Sequence, residues 1–307
     1  MHLYLRGLLI LLLLSCQILR AQAATVWIAI SEGSADYGAV AEEVRNSLLR
    51  ADAQVDVSIR PWTEVAQGGA AQVKLIVSVG SPAFVGLAEA SANGRIGRTP
   101  LLASLLPRSV FEAQRRKMTG PVTAVVLDQP AVRQMALLRY AFPNMRRVGV
   151  MLGPDSLWSQ SQFDKAAADL GLQANIYTVG GDADIYPTLR RVLEENDLLL
   201  AVPDTTVYNG GTIQNVLLAS YRQRVPLIGF SPAYVRAGAM LALYSTPRQI
   251  GSQTARMARS LLAETPVPAL QMPAEFVVSV NVNVARSLGF RLSEDALRLQ
   301  LQGREGM

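Results

Sequence analysis

Two short turns carry the side chains best suited to hold a small molecule. Gly80-Ser81-Pro82 follows an apolar run at 73–79 and opens a helical pattern. Glycine lets backbone come close to a bound group, Ser81 can cap free N–H groups and Pro82 suits the first helical turn. The N-terminus of such a helix is a ready site for a carboxylate. Pro203-Asp204-Thr205-Thr206 closes a second apolar run, 198–202, and offers Asp204 to an ammonium or a hydroxyl. Asp204, Thr205 and Thr206 are also all able to cap the helix that follows. Asp128, after the run 122–127, is placed either to accept hydrogen bonds from a bound molecule or to hold a crossover shut. Ser104 and Ser231 close two further runs. Tyr37, Trp158, Tyr208 and Tyr244 fall in loops or first helical turns on the same side. Their rings could wall a flat solute or simply pack beneath loops.

Other chemistry is poorly provided for. The one histidine and the one cysteine are His2 and Cys16. Both lie in a segment, 1–23, with the marks of an export leader: Arg6, an apolar stretch at 8–14, and Ala21-Gln22-Ala23 as a small-residue cleavage site. Cleavage there starts the mature chain at Ala24. The alternative is a lipobox at Leu13-Leu14-Ser15-Cys16, which leaves the protein tethered to a membrane through a lipid on Cys16. The stretch is short for a permanent span, which needs about 20 residues. A chain starting at Ala24 has no thiolate nucleophile, no disulfide, no imidazole base and no Cys/His zinc site. It carries no G-x-S-x-G elbow and no G-x-G-x-x-G after its first strand, so an enzyme is not expected and no cofactor is implied. With Arg6 and Arg20 removed, 27 basic residues face 24 acidic ones. That small excess, without a basic stripe carrying interleaved aromatics, gives no nucleic-acid signature.

The elements that must position these turns alternate regularly. Strands are predicted at 25–30, 54–59, 73–79, 100–105 and 122–127, with helices at 37–50, 62–67, 82–92 and 109–117 between them. Alternation of this kind reads as βαβ units and a parallel sheet covered on both faces. Asp128-Gln129-Pro130 interrupts it, and it resumes with helices at 131–142, 156–170, 184–195 and 206–222 and strands at 147–152, 174–179, 198–202, 226–230 and 240–244. An amphipathic helix at 247–263 returns to the first unit, and Pro266-Val267-Pro268 begins a proline-rich connector to a last strand at 276–280. The expected fold is α/β: two doubly wound parallel-sheet lobes joined by a three-strand hinge. Lobe one comprises 24–128 and 245–272, lobe two 129–244 and 273–307. In open sheets of this type, ligands sit outside the carboxyl ends of the strands, where all the residues above are placed.

The wording of the second half, DLLLAVPDTTV at 197–207, VPLIGFSP at 225–232, RAGAM at 236–240 and GSQTARMARSLL at 251–262, resembles the substrate-binding components of bacterial ABC importers. It is most similar to the branch that includes tryptophan/tyrosine-type binders, over about residues 73–290. The resemblance implies the connectivity of a type I periplasmic binding protein. In that family the Gly-Ser/Thr-Pro turn (Gly80, Ser81) and the acidic or amide residue of the Pro-x-Asp/Asn-Thr turn (Asp204) contact ligand, and Asp128 stands where the family has Ser-Asp or Thr-Asp before the hinge. The expected protein is a periplasmic monomer that closes two lobes around a small organic ligand, carboxylate-bearing or aromatic. It then delivers that ligand to an ABC permease or, alternatively, signals to a membrane sensor. Two corners depart from the pattern: residues 31–37 replace the usual His-Pro segment, and Ser231-Pro232-Ala233 replaces an acidic turn. An amino-acid ligand therefore does not follow from the resemblance.

Overall fold

In the computed structural model, residues 24–266 and 270–305 are described. The leader segment with Cys16 and both of its cleavage alternatives, and Val267-Pro268 of the connector, lie outside the described residues.

Apolar runs buried on both faces build the first sheet. Strands β1 (Thr25–Ile30), β2 (Asp56–Pro61), β3 (Val73–Val79), β4 (Leu101–Leu106) and β5 (Val122–Val126) pair in the order β2-β1-β3-β4-β5, all parallel. Leu75, Ile76, Val77 and Val79 of β3 are fully buried, as expected of a strand sandwiched between helical layers. On one face lie α1 (Ala35–Ala51) and the late helix α10 (Pro247–Leu262), whose Val40, Val44, Ile250 and Met257 pack on Ile28 and Val77. The other face is covered by α2 (Trp62–Val65), α3 (Ser81–Ala92) and α4 (Arg108–Gln114), with Phe84 stacked on Phe111.

The strands of the second sheet are β6 (Arg147–Leu152), β7 (Gln173–Thr178), β8 (Leu198–Leu200), β9 (Leu227–Gly229), β10 (Leu241–Tyr244) and β11 (Val277–Val280). They run in the order β11-β10-β9-β8-β6-β7. The sheet is mostly parallel, and the departure from a purely parallel sheet is β11, which pairs antiparallel with β10. Helices α5 (Ala131–Ala141), α6 (Gln160–Ala168), α11 (Val282–Ser287) and α12 (Glu294–Glu305) cover one face. The other is covered by α7 (Asp182–Glu195), α8 (Ile213–Arg222) and α9 (Pro232–Ala237). The expected helix at 206–222 begins only at Ile213. Residues 205–212 form turns held by Thr212 Oγ1, which donates to the Val207 carbonyl at 2.8 Å, and by the Asn209 amide, which donates to the Thr205 carbonyl at 3.0 Å.

The chain passes between the sheets three times, at 127–130, at 245–246 and between Gln271, which bridges to Val125, and β11. Hydrogen bonds tie the three passages together. The Gln129 amide donates to Ser245 Oγ (2.9 Å), which donates to the Glu275 carbonyl (2.5 Å). Arg133, buried at the start of α5, donates to Gln129 Oε1 (2.7 Å), to the Pro273 and Ala274 carbonyls (2.8 and 3.3 Å) and to both oxygens of Glu305 (2.5 and 2.9 Å). Its guanidinium lies 4.5 Å from the centre of the Phe276 ring.

Candidate functional site

In each sheet the strand order reverses direction once, between β1 and β3 in the first and between β6 and β8 in the second. At such a point the loops leaving neighbouring strands diverge to opposite faces and open a crevice outside the carboxyl ends. Both crevices here are built from loop-to-loop hydrogen bonds.

In lobe one, the loop after β1 meets the turn after β3. Ser31 donates its N–H to the Val79 carbonyl (3.1 Å), and its Oγ accepts from Ala83 N–H (2.9 Å) in the first turn of α3. Ser31 therefore caps α3 from 52 residues away, a role that the sequence suggested for Ser81. Ser81 is half-buried, and among the described residues its hydroxyl has no hydrogen-bond partner. Gly80 adopts φ +91°, and a Cβ there would stand 2.6 Å from the Tyr37 ring and 2.8 Å from Ser31 Oγ. Glycine is thus required on two counts, conformation and space. Tyr37, Gly80 and Ser81 are gathered into one corner.

In lobe two, the loop after β6 meets the turn after β8. Asp204 Oδ2 accepts from Ser156 N–H and O–H (3.0 and 2.8 Å), and Oδ1 accepts from Thr206 and Val207 N–H (3.0 and 3.1 Å). Gly153 makes room for it, since a Cβ there would run into this carboxylate. Thr205 donates its N–H and O–H to Asp155 Oδ2 (3.1 and 2.5 Å). The expectation that Asp204 meets a ligand is corrected here, whereas Thr205 stays exposed at the same turn. Asp204 is buried, and its four lone-pair sites are filled from within the protein.

Three further expectations change. Ser104 is fully buried, and its Oγ lies 2.7 Å from Thr254 Oγ1 of α10, so it fastens that helix to β4 and does not line the crevice. The cause is strand alternation: Ser104 points to the same face of β4 as Leu102, the face on which α10 packs. Tyr244, half-buried, places its hydroxyl 2.9 Å from Ser279 Oγ across the β10–β11 pair, a contact within the sheet. Tyr208 is buried in the lobe-two core, edge-on to Phe230, and does not form a wall. Burial pushes its hydroxyl, which has no hydrogen-bond partner among the described residues, far above the usual tyrosine range. Ser231 is half-buried at the start of α9 and its side chain makes no capping bond.

Asp128 and Trp158 are brought together. With Gln129, Gln134, Ser156 and Pro203 they line a small cavity where the first passage between sheets meets the β6 and β8 loops. Asp128 Oδ2 accepts from Arg108 N–H at 2.6 Å, at the start of α4. Burial pushes its carboxyl above the ordinary value, against the pull of that N–H, of its own backbone N–H and of the Arg108 charge. Trp158 donates Nε1–H to the Asp155 carbonyl (3.0 Å), and the Arg108 guanidinium lies over its ring, 4.2 Å from the centre. Arg108 was not singled out in the sequence. Its signal was position alone, two residues beyond the carboxyl end of β4. A larger hollow of about 740 Å³ opens at the opposite ends of the lobe-one strands, lined by Thr25, Val73, Pro100 and Leu262. It touches none of these loops.

A family model described as ABC transporter substrate binding protein matches residues 63–302. No curated protein matches the sequence. Among solved structures, the chain is similar to an ABC domain from Streptococcus pneumoniae in complex with L-Trp, at 19% identity and TM-score 0.61, covering 90% of this chain and 97% of that one. It is also similar to a substrate-binding protein with adhesive properties from Clostridium difficile in its ligand-free, open structure, at 16% identity and TM-score 0.68, covering 89% and 97%. A periplasmic ribose ABC transporter protein from Conexibacter woesei gives 13% identity and TM-score 0.52, covering 90% and 98%. At these identities the likeness is one of fold.

Proposed function

Because the chain belongs to the ABC transporter substrate-binding protein family, a family of binders and not of enzymes, we propose that it is exported and closes its two lobes around a small organic solute. The closed form is then offered to the permease of an ABC importer. The observation that supports this reading is a pair of switch points, one in each sheet. The Ser31/Gly80/Ser81 corner of one sheet and the Ser156/Trp158/Asp204 corner of the other both lie at carboxyl ends of parallel strands, on units joined by three passages. A solute touching both corners adds contacts in the closed arrangement that it lacks in the open one, so binding shifts the population toward closure. Among the described residues no helix is long and apolar enough to cross a membrane, so the membrane partner is a separate protein in this scheme.

The lining divides the work. Ser81 and Ser231, whose hydroxyls make no hydrogen bond among the described residues, are the groups free to bond a solute. Tyr37 and Trp158 supply half-buried rings, whereas Asp204, Asp155 and Ser156 keep the lobe-two loops in place. Small-angle X-ray scattering during solute titration tests the reading, since approach of the lobes reduces the radius of gyration.

A further inference from the structure

We propose that the outer edge of β7 is an interface at which two copies of this chain pair, strand against antiparallel strand, in a two-fold dimer. The inference concerns association of the protein with itself and does not depend on which solute it takes.

β7 ends the second sheet, with β6 as its neighbour on one side. Gln173 N–H donates to the Arg146 carbonyl and Val179 N–H to the Leu152 carbonyl, both at 2.9 Å, and the register between them is unbroken. The odd-numbered residues therefore turn their main-chain groups toward β6, and Ala174, Ile176 and Thr178 turn theirs outward. Among the described residues those outward groups have no hydrogen-bond partner. A groove of about 590 Å³ runs along them, walled by Gln160 and Asp164 of α6 and by Glu195 at the end of α7. The neighbouring side chains are drawn back onto their own lobe: the Asn175 amide donates to Asn196 Oδ1 and the Tyr177 hydroxyl to Glu195 Oε2, each at 2.7 Å.

The other sheet edges are guarded. The main chain of Gln271 covers β5, with hydrogen bonds of 2.9 and 3.0 Å to Ala124 and Val126. Strand β2 carries Asp56, Arg60 and Pro61. On the four-residue β11, the Val280 N–H donates to Glu294 Oε1 at 2.6 Å. Charge, proline and cover are the usual means of keeping an edge from pairing, and Gln-Ala-Asn-Ile-Tyr-Thr of β7 has none of them.

An extended chain is what matches N–H and C=O groups repeated at every second residue, and β7 matches itself. With the two-fold axis at Ile176, that residue stands opposite the partner's Ile176, Ala174 opposite the partner's Thr178, and Thr178 opposite the partner's Ala174. Each pair exchanges two N–H···O bonds. This register uses all three outward residues, whereas an axis at Asn175 or Tyr177 uses two. It also sets Ile176, half-buried against the lobe-two core, beside its own copy on the same face, so the contact is isologous and closed. β7 lies at the opposite edge of the sheet from β10 and β11, where two of the three passages join it. Pairing there leaves the hinge of each copy uncovered.

Sedimentation velocity of the purified full-length protein, from low micromolar to sub-millimolar concentration, reads the association. The wild type is expected to pass from monomer to dimer over that range. Thr178→Pro removes one outward donor from each copy and no bond within the sheet, so it should weaken the dimer about tenfold or more while the chain stays folded. A second measurement tests the register in a Cys16→Ala background, where an introduced thiol has no competitor. Ile176→Cys places its Cα about 5.5 Å from its mate across the axis, within the range of a disulfide, whereas Gln173→Cys is about 20 Å from its own mate. Mild oxidation is expected to cross-link the first and not the second, and this pair decides the matter even where the proline lowers the melting temperature. A wild-type protein that stays monomeric throughout overturns the inference. So does a dimer that a folded Thr178→Pro leaves equally tight, or one that cross-links through neither thiol or through both alike.

Discussion

Four donors converge on the Asp204 carboxylate, two from its own turn and two from Ser156, 48 residues away. Asp204→Ala leaves buried N–H and O–H groups unpaired and frees the loop after β6 from the loop after β8. Each buried hydrogen bond to a charged group contributes about 1.5–3 kcal/mol, so a loss of about 3 kcal/mol of unfolding free energy is expected in urea denaturation. A variant as stable as wild type that has lost solute binding would return Asp204 to the list of ligand contacts. Asp128 behaves in the opposite sense. Burial raises its folded carboxyl above the ordinary value of 3.8, so between that value and the folded one the native state holds more proton than the unfolded chain. The contribution of Asp128 to stability therefore falls as pH rises through this window. Asp128→Asn, whose amide oxygen can still accept from Arg108 N–H, is expected to be more stable than wild type at pH 7, with the gain vanishing near pH 3.8. Paired denaturation curves at the two pH values check it, and a variant less stable at pH 7 would contradict it.

Among the elements, α5 is tied through Arg133 to the first passage, the third passage and the end of α12. Replacing Arg133 with Met removes the donor to Gln129, to two carbonyls and to Glu305 at once. Breaking a buried charged network from one side costs about 3–5 kcal/mol, and that is the loss expected in denaturation of Arg133→Met. Glu305→Gln, at a residue one-third exposed, should cost much less, and equal losses would mean that the network is not centred on Arg133. The alternation of strand and helix was legible because buried parallel strands are continuous apolar runs, as in β3. The helix at 206–222 was over-extended across Asn209-Gly210-Gly211, a turn signal outweighed by the apolar residues around it. The site was half legible. Strand ends and small turn residues showed where the corners lie, but not which oxygens are already taken. That depends on partners such as Ser156 for Asp204 and Thr254 for Ser104, 48 and 150 residues away in sequence. Arg108 was hidden for a related reason, since a lone arginine in a first helical turn reads as a solvated surface charge until the ring of Trp158 is placed under it.

At the scale of the molecule, two sheets joined by three hydrogen-bonded passages can open and twist but cannot slide apart, and such hinges carry closure with little change inside either unit. Binding should therefore stabilise the folded protein as well as compact it, by about 2.7 kcal/mol at a solute concentration 100 times the dissociation constant. The measurement that bears most directly on this picture is small-angle X-ray scattering of the purified protein, alone and saturated with a small-molecule solute that it binds. Closure predicts a smaller radius of gyration in the bound state, with the change lost in a variant that no longer binds. A saturated protein whose scattering curve superimposes on that of the free protein would contradict the account.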